Sequence, residues 1–72
     1  MTVEMAWTPS FARTLSSMAV WLRERELLFT NQFPPLNPHE YGIHMITFEK
    51  IIVMFHESVD ENLVLEFKLR WG

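Results

Sequence analysis

An α+β fold is predicted by three features of the 72-residue sequence: two different hydrophobic periods, their segregation along the chain, and the proline-rich cluster between them. Near the start, Val3, Met5 and Trp7 alternate with Thr2, Glu4 and Ala6. A period of two suits a short strand over residues 2–7 with one buried face. Thr8 and Pro9 then give a helix-start signal, because a Thr hydroxyl can accept an orphan N–H bond and proline has no N–H to lose at the first helical position. From there Phe11, Leu15, Met18 and Leu22 recur at spacings of four, three and four, which predicts a helix over 9–28 with one apolar stripe. Three of the four prolines fall between Asn31 and Gly42, so 31–42 is predicted to be an extended loop. Extended patterning resumes in a weaker strand over 43–48 and a stronger one over 50–57, with Ile51, Val53 and Phe55 on one side and Ile52, Met54 and His56 on the other. After polar turn material at 58–62, Leu63, Leu65, Phe67, Leu69 and Trp71 alternate with Val64, Glu66, Lys68 and Arg70, which predicts a last strand. The expected order is therefore one N-terminal strand, one main helix, then an antiparallel sheet of two or three strands spanning 43–71 and roofed by the helix.

Composition bounds the rest. A chain of 8.6 kDa makes one small domain, which buries only about 60% of the surface its unfolded form exposes. Cysteine is absent, which removes disulfides, thiolate nucleophiles and Cys-based zinc sites. Six Lys plus Arg against nine Asp plus Glu leave a net charge of −3, so nucleic acid is a disfavoured partner except through a ribosome. The longest apolar run, Ile51 to Phe55, falls far short of the ~20 residues of a membrane span, and a cytoplasmic protein is expected. His39, His44 and His56 lack the i, i+4 spacing of a helical zinc motif, and there is no Gly-rich phosphate loop. No metal and no cofactor are expected.

The opening Val3-Glu4-Met5-Ala6-Trp7-Thr8-Pro9-Ser10-Phe11-Ala12-Arg13-Thr14-Leu15 resembles the start of RelE/ParE-type toxins, where a strand ending in a W-T-P-x-F-x-R-x-L phrase enters the first helix. Lys50 to Glu57 followed by Asp60 to Phe67 is similar to that family's final antiparallel strands, and Phe33-Pro34-Pro35-Leu36 to its P-F-x-P-L loop. The resemblance implies a toxin–antitoxin-type protein that either cuts ribosome-bound mRNA or poisons gyrase and is neutralised by an antitoxin. The chain departs from the family pattern in being acidic, in being short with little room for a second helix, in lacking basic residues in its loop and middle strand, and in ending at Gly72 without a terminal catalytic segment. A shortened, degenerate member acting through protein contacts, or weakly as an mRNA interferase, is the expectation.

Metal-independent RNA cleavage requires a base for the ribose 2′-hydroxyl, cations for the phosphate and an acid for the leaving oxygen. The candidates are Arg13, Lys50, Lys68 and Arg70 for phosphate, and His44 or His56 for proton transfer. Against this, Glu66, Lys68 and Arg70 equally suit the solvated face of a half-exposed strand. Three Trp, six Phe and five Met are many large side chains for so small an interior. Trp21, Phe33, Leu36 and Trp71 are accordingly candidate partner-binding residues, although a small domain also needs aromatics for its own core. A homodimer would satisfy both. The alternative function is a non-enzymatic interaction protein of phage or mobile-element type that inhibits a host enzyme.

Overall fold

A computed structural model describes residues 1–46 and 49–72. Its elements run β1 (Thr2–Ala6), α1 (Phe11–Glu24), β2 (Leu28–Phe29), β3 (Glu40–Ile46), β4 (Lys50–Phe55) and α2 (Glu61–Trp71). The strands form one sheet in the order β1-β4-β3-β2. β4 is antiparallel to both β1 and β3, whereas β2 runs parallel to β3, so the sheet is mixed. The α+β class holds, and both helices lie against one face of the sheet.

The predicted first strand is present and ends one residue early. Trp7 closes the ladder by donating its N–H to the Glu49 carbonyl at 3.1 Å. The predicted helix over 9–28 is shortened at both ends. Thr8 to Ser10 form a turn in which the Thr8 carbonyl accepts from Phe11 N–H at 3.0 Å, and the Thr8 and Ser10 hydroxyls lie 3.1 Å from each other. At the other end Glu26 adopts φ 64°, its N–H bonds to the Arg23 carbonyl and Leu27 N–H reaches back to the Leu22 carbonyl. These two bonds are the Schellman pattern, and the buried Leu22 and Leu27 supply its usual apolar contact. The chain therefore leaves the helix before Leu28 and Phe29, which pair with Glu40 and Tyr41 instead.

The largest correction concerns 63–71, which is helix and not strand. Alternation of apolar residues is only one of the two periods this segment carries. Leu63, Val64, Phe67 and Trp71 also fall on one helical face, and these are the residues the core covers, while Leu65 is 55% and Leu69 is 81% exposed. Local chemistry decides between the periods. The Asp60 carboxylate accepts from Asn62 N–H at 2.9 Å as an N-cap, Glu61 lies at the positive end of the helix, and Lys68 and Arg70 lie at the negative end. The antiparallel partner expected for β4 from this segment is β1. The predicted strand over 43–48 is β3 as far as Ile46, but it starts at Glu40, inside the predicted loop over 31–42. The predicted strand over 50–57 is β4 and ends at Phe55, before His56. Thr47 and Phe48 lie outside the described residues.

The register places Val3, Met5, Tyr41, Ile51, Val53 and Phe55 on the inner face of the sheet, where all are buried. Met18, Trp21 and Leu22 of α1 and Val64 and Phe67 of α2 close over them. Each such side chain contributes on the order of 1.5–3 kcal/mol on burial. Aromatic rings run through this layer in series. Trp71 meets Trp21 edge-on at 5.4 Å, Phe67 lies 5.1 Å from Trp71 and 5.3 Å from Phe55, and Tyr41 lies between Phe55 and Phe29. Of the many large side chains in the sequence, Met5, Met18, Trp21, Phe55 and Phe67 are buried here, whereas Met1, Phe29, Phe33 and Met45 are exposed.

Candidate functional site

The outer face of the sheet carries Thr2, Glu4 and Ala6 from β1, Lys50, Ile52 and Met54 from β4, and Gly42, His44 and Ile46 from β3. The proline-rich loop folds over part of it. A Cβ on Gly42 would lie 2.8 Å from the Gln32 carbonyl oxygen and 3.3 Å from the Phe33 ring, so the absence of a side chain at 42 is what lets the loop backbone lie flat on β3. Phe33 continues onto the imidazole of His44 with ring centroids 5.2 Å apart. Pro34, Pro35 and Leu36 then line a groove of about 330 Å³ with Met54 and His56. Leu36 is 65% exposed, and Phe33 and Ile46 are also exposed. The result is an apolar track from Leu36 past Met54 and Phe33 to Ile52 and Ile46.

At the opposite corner, the end of β1, the start of α1 and the end of α2 enclose an open cleft of about 820 Å³. Glu4, Thr8, Phe11, Lys50, Arg70 and Trp71 are among its walls. Lys50 donates to the Glu4 carboxylate at 3.2 Å across the β1–β4 pair. The Arg70 guanidinium lies 5.3 Å from the Trp71 ring centroid and 5.9 Å from that of Trp21.

The predicted catalytic set does not converge. Lys50 and Arg70 share the cleft, but no histidine lines it. Arg13 is on the exposed side of α1, and Lys68 lines a separate groove beside the start of β1. His44 is stacked under Phe33. His56 accepts the Ser58 N–H at its Nδ1, 3.0 Å away, with the Ser58 hydroxyl 2.9 Å from the same atom. Ser58 Oγ in turn accepts the His39 N–H at 3.0 Å, so Ser58 ties the two turns together and His56 is held by it. Among the described residues no group of three or more His, Asp or Glu side chains is placed to hold a metal ion.

The four partner-binding candidates differ in exposure. Phe33 and Leu36 are on the outer face. Trp71 is half-buried between the cleft and a second groove over α1. Trp21 is a correction: it is only 7% exposed, with Arg25 3.6 Å from its ring centroid. That arginine also donates to the Trp21 carbonyl at 3.0 Å and pairs loosely with Glu66, which couples α1 to α2. The sequence places Trp21 beside the α1 stripe, but the second helix that covers it carries the alternation of a strand. Nothing in the spacing of Glu4, Thr8 and Phe11 says that a C-terminal helix ends beside them.

Burial pushes the Tyr41 phenol up from its ordinary value, and the positive charge of Arg23 opposes that shift. In the unfolded chain the phenol ionises from about pH 10. The stability held by the neutral buried ring is therefore complete below that pH and declines as pH rises toward the higher folded value. Denaturant titrations between about pH 8 and about pH 11 should show this alkaline loss in the parent and a flatter profile in Tyr41→Phe. Identical slopes would remove Tyr41 as the cause.

No family model matches the chain, and searches of the curated proteins and of the solved structures found no match. No helix of the described residues is long and apolar enough to cross a membrane.

Proposed function

We propose that the chain acts by binding a protein partner through the outer face of its sheet and the Phe33–Leu36 loop. The observation that carries this reading is the apolar track itself. A domain this small needs apolar side chains for its interior, yet Leu36, Phe33 and Ile46 are displayed on one surface with Ile52 and Met54 between them. Pliable and aromatic side chains of this kind anchor interfaces at modest entropic cost. The resemblance of residues 3–15 to RelE/ParE-type toxins supplies the partner class, an antitoxin in the cytoplasm, and the same surface serves the alternative of a host-enzyme inhibitor. The scatter of cations and imidazoles weighs against RNA cleavage as the principal activity.

Leu36→Asp adds a charge at an exposed position, so it should leave the fold intact and weaken partner binding by about 30-fold or more. The measurement is growth arrest on induced expression together with the stoichiometry of the co-purified partner. Arg70→Ala, in the cleft and away from the track, should leave both unchanged. The opposite pattern, arrest lost with the cleft variant and kept with Leu36→Asp, assigns the activity to RNA cleavage in the Lys50–Arg70 cleft and ends the binding proposal.

A further inference from the structure

A different surface points to self-association. β1 lies at the edge of the sheet and is paired on one side only. Met1 exchanges hydrogen bonds with Phe55, and Trp7 donates to Glu49, so the odd-numbered residues of β1 direct their backbone groups at β4. The N–H and C=O groups of Thr2, Glu4 and Ala6 consequently point away from the sheet. Edge strands are commonly blunted by proline, a bulge or extreme shortness, and β1 has none of these. Its one charged side chain, Glu4, is neutralised by Lys50.

The flank of α2 beneath this edge is self-complementary. Glu61, Leu65 and Lys68 stand at i, i+4 and i+7, which stacks them into one stripe. All three line a groove of about 330 Å³ with Met1, Thr2 and Val3, so the stripe runs beside β1. The opposite flank of α2 faces α1, where Glu66 meets Arg25 and Arg70 lies over Trp21. Among the described residues neither Glu61 nor Lys68 has an ionic partner. The stripe reads acid, apolar, base, and a two-fold axis through its middle converts that order into matching pairs.

We propose that two copies of this chain associate through antiparallel pairing of their β1 strands, which extends the two sheets into one and brings the two α2 helices side by side. Glu61 of each copy then meets Lys68 of the other, and the exposed Leu65 side chains meet near the axis. A register with Thr2 opposite Glu4 of the second copy keeps the two Glu4 carboxylates from facing each other. The symmetry is the closed, isologous kind usual for small homodimers. The outer-face track is left free, so the two proposals fail separately.

Sedimentation equilibrium of the full chain tests this. The parent should approach twice 8.6 kDa with rising concentration. Lys68→Glu and Glu61→Lys should each weaken the dimer by about tenfold or more, since each places like charges together at two symmetric contacts. The combined K68E/E61K chain should recover the parent affinity, a rescue that general loss of helix stability does not produce. Glu4→Pro removes an outward N–H without touching the β1–β4 ladder and should give a folded monomer by circular dichroism. A parent chain that stays monomeric up to about 1 mM overturns the proposal, as does a double variant no tighter than the single ones.

Discussion

Phe67→Ala is expected to cost roughly 3–5 kcal/mol, among the largest losses available to a single truncation in this chain. The ring is fully buried and touches three others: Trp21 at 6.1 Å, Phe55 at 5.3 Å and Trp71 at 5.1 Å. It is therefore the point where the sheet, α1 and α2 meet. Small domains have total stabilities of about 5–15 kcal/mol, and in this size range each kcal/mol moves the melting midpoint by about 4–8 °C. A fall of about 12 °C or more follows, read by far-ultraviolet circular dichroism. The first cooperative loss should be helical signal, because α2 is held to the sheet chiefly through this ring and Val64. A midpoint shift under about 5 °C would mean that Phe67 is not the junction described. Leu69→Ala is the matched control: the side chain is 81% exposed, and its removal should leave the midpoint almost unchanged.

The contrast between Phe67 and Leu69 also marks where the sequence was ambiguous. As a strand, 63–71 places both residues on the same buried face; as a helix, it buries one and exposes the other. Five alternating apolar residues were compatible with either, and the tie was broken by chemistry at the ends, namely the Asp60 cap and the Glu61 and Lys68/Arg70 charges. Those end signals are legible in the sequence, although the alternation along the segment is the more conspicuous pattern. β1 and the central stripe of α1 are legible because each carries only one period, and β4 because its run from Ile51 to Phe55 is rich in β-branched residues and too short for a helix. The end of α1 was not, since the left-handed position falls on Glu26 and not on the glycine that usually marks it. β2 could not be found from two residues with no pattern of their own.

The site divides along the same line. Phe33 and Leu36 stood out because prolines hold them in a loop, and they are at the surface. Lys50 and Arg70 were named for charge alone, and their meeting in one cleft depends on a helix that the alternation concealed. Trp21 was misplaced for the same reason. The histidines are candidates by residue type alone, and the fold gives two of them structural partners, Phe33 for His44 and Ser58 for His56. Residue type alone carries no information about convergence, which arises from pairing across the sheet.

Gly42→Val is expected to separate the loop from the sheet without unfolding either. The backbone of residue 42 adopts no left-handed conformation, so the constraint is purely steric. The added Cβ would meet the Gln32 carbonyl oxygen at 2.8 Å, a backbone atom that cannot swing aside as a long side chain would, and the branched methyls would press on the Phe33 ring and Pro35. Overpacking of this kind costs about 1–3 kcal/mol. Lifting residues 32–36 relieves it, because the pairing of residue 42 with Met54 is untouched. Release of the loop removes Phe33 from His44 and dissolves the groove that Leu36 shares with Met54 and His56. Partner binding should then fall at least as far as in Leu36→Asp, while limited proteolysis should newly cut the chain between 31 and 39. In Leu36→Asp binding falls and the loop stays protected. If Gly42→Val leaves the loop resistant to protease and binding intact, the close approach at Gly42 does not hold the loop, and the apolar track loses the element that organises it.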